Sequence, residues 1–133
     1  MITAGPSQLA VTNNNVQFGA TGGTGFRFSL APAATLNLAD NSVTDTAGGA
    51  TGVLFDSVSG PAGLTINGNS VTLSHHGNGI IFSSVTDPVV SGMTYSVGLA
   101  GTQNNVIQGA DTPFSVPAST TTGGILVNGT VVP

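Results

Sequence analysis

Apolar and polar positions alternate in short runs along this chain, and the runs recur. Leu9, Val11 and Val16 are followed at the same spacing by Leu36, Leu38 and Val43, and again by Leu64, Ile66 and Val71. Each copy carries an Asn two residues before its Val, at Asn14, Asn41 and Asn69, so the steps are 27 and 28 residues. A second block keeps the same period: Gly25-Phe26-Arg27-Phe28, Gly52-Val53-Leu54-Phe55 and Gly79-Ile80-Ile81-Phe82. A Pro closes each copy, at Pro32, Pro61 and Pro88. Repetition at this period, with two independent blocks in step, marks a stacked-repeat architecture.

Residues two apart on a strand share a face, so Leu64 with Ile66, Val71 with Leu73, and Ile80 with Phe82 each define a short half-buried strand. Three strands separated by turns in about 27 residues predict one coil of a three-sided parallel β-solenoid. A single coil cannot bury its inward side chains. Coils must stack at about 4.8 Å, each strand pairing in parallel with its copy above. Like then lies on like, with Leu9, Leu36 and Leu64 in one column and Phe28, Phe55 and Phe82 in another. Asn14, Asn41 and Asn69 are expected to form a ladder whose amides bond along the stack and satisfy turn groups. The alternative for these Asn is ordinary turn duty without stacking, and the fixed period favours the ladder. Gly25, Gly52 and Gly79 are expected to open the third strand at a positive φ.

The pattern weakens after Pro88. Met93 and Tyr95 are the next inward pair, but no Asn-x-Val follows at the expected offset. Residues 113–124 read as a loop. Asn128-Gly129 between Ile125–Val127 and Thr130–Val132 signals a tight hairpin. The expected organisation is therefore coils over residues 1–112, and a loop with a capping hairpin over 113–133. Only Met1 to Gln8 are left to cover the first coil.

Composition narrows the function. The chain of 133 residues has one Arg, five Asp, no Lys, no Glu and no Cys. One cation cannot neutralise a row of phosphates, which excludes nucleic acid as a partner, and it offers little to anionic lipid. No apolar run approaches the roughly 20 residues of a membrane helix, and the N-terminus lacks the basic and apolar regions of a signal peptide. Scarce Lys and Glu with abundant Thr, Ser, Asn and Gly point to a secreted or cell-surface protein, of which this chain would be an excised segment with a start Met added.

The segment from Leu64 to Leu73, read with Gly52 to Pro61, resembles the coils of right-handed parallel β-helix proteins of the pectin-lyase-like kind. It also resembles the strand repeats of large bacterial surface proteins and autotransporter passenger domains, over about residues 8 to 95. The resemblance implies right-handed coils, as does the usual hand of β-crossover-β connections. It leaves activity open, because the architecture serves lyases, hydrolases, adhesins and phage spikes alike.

Lyases of this architecture place a basic residue beside an acidic Ca²⁺ cluster. Here Arg27 is replaced by Leu54 and Ile81 one and two coils on, and Asp40, Asp45, Asp56, Asp87 and Asp111 fall at unlike offsets. His75-His76 reads as an exposed loop pair, since neighbouring side chains diverge and no Glu or Cys completes a metal shell. No catalytic, cofactor or metal residue is therefore assigned. Arg27, Leu54 and Ile81 point outward between inward Phe positions, and either the C-terminal tail covers them or they form a contact surface. Thr44 and Thr72 belong to an outer hydroxyl column. The expected function is a non-catalytic structural or adhesive module. Its partners would be other domains of a parent protein or a surface ligand, with self-association through the solenoid ends. Two other readings stand beside it: a carbohydrate-binding or carbohydrate-cleaving module, and a self-assembling fibre subunit.

Overall fold

The computed structural model describes residues 1–4, 8–32, 34–59, 63–86, 104–117 and 125–132, and these contain strands and turns but no helix. Strands β1 (Ile2–Ala4), β4 (Thr24–Leu30), β7 (Thr51–Ser59), β10 (Asn78–Phe82) and β13 (Thr112–Ser115) stack in that order as sheet I. Short β11 (Val85–Thr86) extends this sheet by pairing with the far end of β7. Sheet II holds β2 (Gln8–Thr12), β5 (Thr35–Ala39) and β8 (Gly63–Asn67). Sheet III holds β3 (Asn15–Phe18), β6 (Ser42–Asp45), β9 (Ser70–Leu73) and β12 (Val106–Gln108). Pairing within all three sheets is parallel. The chain visits II, III and I in turn, as the repeat requires. It is a three-sided parallel β-solenoid.

Register follows the repeat. Leu9 pairs with Leu36 and Leu36 with Leu64, and Val16, Val43 and Val71 align in the same way. Phe28, Phe55 and Phe82 form the buried aromatic column, with ring centroids 5.3 and 4.3 Å apart. Stacked rings of this kind add to the burial of large apolar area.

A fourth coil lies beyond the end of the periodic pattern, with β12 on β9 and β13 on β10. Asn105-Val106-Ile107 places Asn105 above Asn69 and Ile107 above Val71. The step is 36 residues rather than 28, so extra chain between Thr86 and Asn104 breaks the period while the stacking continues. Met93, Tyr95, Pro61, Pro88 and Asp87 lie outside the described residues. The boundary at 112/113 is also corrected. Pro113, Phe114 and Ser115 belong to β13, and Phe114 pairs with Ile80. β13 is the edge strand of its sheet among the described residues, and an edge strand is where a sheet accepts proline. At the other end, Ile2–Ala4 covers the first coil along half of its sheet I strand, pairing with β4 on the side away from β7, with Ile2 against Phe28.

The three block glycines have a different cause from the one expected. None of Gly25, Gly52 and Gly79 has a positive φ. A Cβ on Gly52 would sit 2.6 Å from Val71 Cγ1 and 2.9 Å from the Gly79 carbonyl oxygen, and one on Gly25 would sit 2.7 Å from Val43 Cγ2. Each glycine thus admits a branched side chain of sheet III from the coil above. Gly52→Ala is expected to cost about 1–3 kcal/mol by overpacking. A urea midpoint equal to that of the parent chain would show that Val71 can move aside.

Candidate functional site

Alternation along sheet I puts every second side chain on its outer face. Arg27 pairs with Leu54, Leu54 with Ile81, and Ile81 with Ser115, so the outward column runs through four coils. Leu54 and Ile81 are half-buried, and Arg27 is exposed. The register between β4 and β7 shifts after Phe28, which pairs with Phe55 while Ser29 pairs with Ser57. Asp56 is therefore the extra residue of a β-bulge, a device that re-aims a side chain. Its carboxylate Oδ2 accepts a hydrogen bond from Arg27 Nη2 at 2.7 Å, with both groups partly in solvent. An exposed pair of this kind contributes about 0–1 kcal/mol. Its larger effect is to neutralise the chain's one side-chain cation where it stands beside the two aliphatics.

Among the described residues, the hairpin of the tail lies elsewhere than on this column. β14 (Ile125–Val127) and β15 (Thr130–Val132) form an antiparallel hairpin, with Asn128 at φ 49° and Gly129 at φ 78°, as a two-residue Asn-Gly turn requires. The hairpin sits on the edge of sheet III. Val127 bridges to Asn105 in parallel, and the Asn128 N–H donates to the Asn105 carbonyl at 2.9 Å. Asn128 Oδ1 accepts from the Ile107 N–H at 2.7 Å, while its Nδ2 donates to the Ile107 carbonyl at 2.8 Å. One side-chain amide thereby imitates the strand that would otherwise pair with β12.

The Asn ladder has four rungs and a direction. In each of the first three, the backbone N–H and the Nδ2 group donate to the Oδ1 of the next Asn. Asn14 reaches Asn41 at 3.1 and 3.0 Å, Asn41 reaches Asn69 at 3.1 and 3.0 Å, and Asn69 reaches Asn105 at 3.1 and 2.9 Å. Remaining amide protons bond the Val11, Leu38 and Ile66 carbonyls of the coil below. Asn41, Asn69 and Asn105 are buried, whereas Asn14 is exposed.

The acids are scattered, with one pairing that spacing did not reveal. His76 Nδ1 lies 3.0 Å from Asp111 Oδ2, across the turns of the third and fourth coils, and both side chains are exposed. His75 is exposed beside it, and among the described residues no group of three His, Cys, Asp or Glu comes together. Asp40 occupies the left-handed position before the ladder, with φ 57°. Thr44 and Thr72 share an outer column with Gln17.

Asp45 faces inward, between Phe18 and Leu73, and is buried. Its Oδ1 accepts the Ala47 N–H at 2.9 Å and its Oδ2 the Ala50 N–H at 3.2 Å. The Ala47 N–H holds the carboxyl below its ordinary range against the opposing effect of burial, and the Gly48 and Ala50 N–H groups add to this. A folded value below the unfolded one stabilises the fold above the unfolded value, about 3.9, and the contribution vanishes as pH falls through the folded value. The parent chain is therefore expected to lose thermal stability below about pH 4. Asp45→Asn should flatten that decline, and identical acid profiles for the two would remove Asp45 as its cause.

Comparison with known proteins gave no match to a protein-family model, to a curated protein or to a solved structure.

Proposed function

We propose that this chain is a non-catalytic structural and adhesive module of a secreted or cell-surface protein, with the outer face of sheet I as its contact surface. The observation that supports this reading is the column of Arg27, Leu54 and Ile81. It is in register on adjacent coils, half-exposed at its aliphatic positions, and has its charge neutralised by Asp56. Parallel strands hold these side chains at a spacing of about 4.8 Å on a face that side-chain motion alone cannot rearrange. A flat, uncharged strip with aliphatic centres suits a neighbouring domain or the apolar face of a surface glycan. The outer hydroxyl and amide positions Thr44, Thr72, Gln17 and Gln108 give the next sheet a polar face of the same regularity.

A glycan array, combined with binding to intact cell surfaces, tests the reading. The double variant Leu54→Thr and Ile81→Thr is expected to weaken binding by at least about tenfold, since two desolvated aliphatic contacts are lost while β-branched residues keep the strands. Melting should be nearly unchanged. Undiminished binding by that variant would overturn the assignment of the surface. Turnover of a bound polysaccharide by the parent chain would overturn the non-catalytic reading.

A further inference from the structure

The two ends of the solenoid differ in what they offer. At the N-terminal end, Leu9, Val11, Val16 and Phe18 are only half-buried, whereas Leu36, Leu38 and Val43 one coil on are fully buried. Asn14 donates to Asn41 and to the Thr12 carbonyl, and no donor among the described residues reaches its Oδ1. This end is an apolar cross-section carrying an open ladder acceptor. The C-terminal end is its complement. Asn105 stands last in the ladder, and the rung position above it is held by the apolar Val127.

We propose that the N-terminal face is a docking surface for the fourth coil of a second copy of this chain, and that the C-terminal hairpin gates this head-to-tail assembly. The inference rests on the structural reading of the chain but uses a surface separate from the outer face of sheet I.

Three features fit a second copy rather than another partner. Ladder polarity comes first. Every donation between rungs runs from the earlier Asn to the Oδ1 of the later one, so only head-to-tail stacking keeps that direction, from Asn105 of one copy to Asn14 of the next. Head-to-head stacking would bring two acceptors together. Strand register comes second. With Asn105 under Asn14, Ile107 lies under Val16, the same residue types that pack between coils within one molecule. The third feature is the rung of sheet I that the two copies would share. Through its pairing with β10, β13 occupies the positions equivalent to Thr24 through Arg27, and β1 occupies those equivalent to Phe28 through Leu30. The half-strand ending one copy and the half-strand opening the next together complete one strand.

The tail blocks this arrangement. Val127 lies over Asn105, the Asn128 amide clasps Ile107, and Val116 continues from β13 toward the place that β1 of the second copy would take. The clasp is a side-chain imitation of a strand, held by two hydrogen bonds, and the hairpin adds the Asn128 N–H on the Asn105 carbonyl and the Gly129 N–H on Asn104 Oδ1. A full strand offers more bonds than the clasp and can displace it.

The test uses the full chain. Asn128→Gly keeps the positive φ that the turn needs but removes the amide clasp. By multi-angle light scattering its weight-average mass is expected to rise at least about twofold with concentration, while the parent chain does not assemble. Val11→Lys, which places a charge on the half-exposed N-terminal face, should abolish that rise when combined with Asn128→Gly. Mixing the double variant with the parent chain should give species that stop at two copies, because each then has one usable end. Circular dichroism should match the parent throughout. Should Asn128→Gly fail to fold, Asn104→Ala loosens the hairpin from outside and is expected to show the same rise to a lesser degree. Monomeric behaviour of both loosened variants, or assembly indifferent to Val11→Lys, would overturn the proposal. Absence of glycan and cell-surface binding by the parent chain, with assembly of the Asn128→Gly chain intact, would count against the adhesive surface alone.

Discussion

Phe55→Ala is expected to destabilise the fold by about 3–5 kcal/mol, the range for emptying an aromatic site in a core that cannot collapse. Phe55 is fully buried and lies between two other rings, nearly parallel to Phe82 at an interplanar angle of 6°. Its backbone is pinned in register by β4 on one side and β10 on the other. Neighbouring coils therefore cannot close the gap without breaking the ladders of sheet I. A loss of this size is a large fraction of the stability of a typical domain. Phe55→Leu should recover much of the loss, because it restores most of the volume. Chemical denaturation of the three chains measures this. A cost for Phe55→Ala no larger than that of a surface change would mean that the aromatic column is not a packing element.

Asn69→Ala should cost about 3 kcal/mol, at the upper end of the range for stranding buried polar groups. Asn69 Oδ1 is the acceptor for both the N–H and the Nδ2 of Asn41, and its Nδ2 serves the Leu38 carbonyl and Asn105 Oδ1. Alanine removes all of these at once in a site that excludes water. Thr72→Ala, three residues on and exposed on the outer face, is the control, and should stay within about 0.5 kcal/mol of the parent. Equal denaturation midpoints for the two variants would take the ladder out of the account of stability. Asn69→Asp is a useful third chain. When protonated it keeps the acceptor and one O–H donor, so it should fall between the other two at acidic pH, and be worse at neutral pH, where it is acceptor-only and a buried charge is added.

The first three coils were legible because stacking demands the same residue type at the same register. Leu9, Leu36 and Leu64 had to recur, and so did the Phe column. The fourth coil was hidden by the added chain before Asn104. A periodic reading looks for Asn at a fixed offset, whereas the stack tolerates any loop that returns Asn105 to its rung. The block glycines were recognised but misattributed. A glycine that needs a positive φ and one that makes room for a neighbour's methyl groups look alike in sequence, and only the approach of Val71 to Gly52 distinguishes them.

Asp45 was readable in principle. Alternation from Val43 places it inward, but the turn N–H groups that satisfy a buried carboxylate there come from chain geometry. The outward column of Arg27, Leu54 and Ile81 followed from alternation alone. The bulge that brings Asp56 beside Arg27 did not, because an added residue in one strand leaves no mark on composition. The Asn-Gly turn announced the hairpin. The role of Asn128 as a stand-in strand depends on where the hairpin lands.

Successive ladder rungs are 27, 28 and 36 residues apart in the chain, and the hairpin β14–β15 is the one local strand pair among the described elements. Such wide separations are the mark of a slow folder, because loop-closure entropy must be met before any pairing returns free energy. The first contact between two coils is the hard event, and each later coil adds to an existing template. Unfolding must run the same path backwards, through a state in which several registered ladders open together. The chain should therefore hold its shape for a long time under conditions where its equilibrium stability is ordinary, and its resistance to proteases should be governed by the rate of that opening.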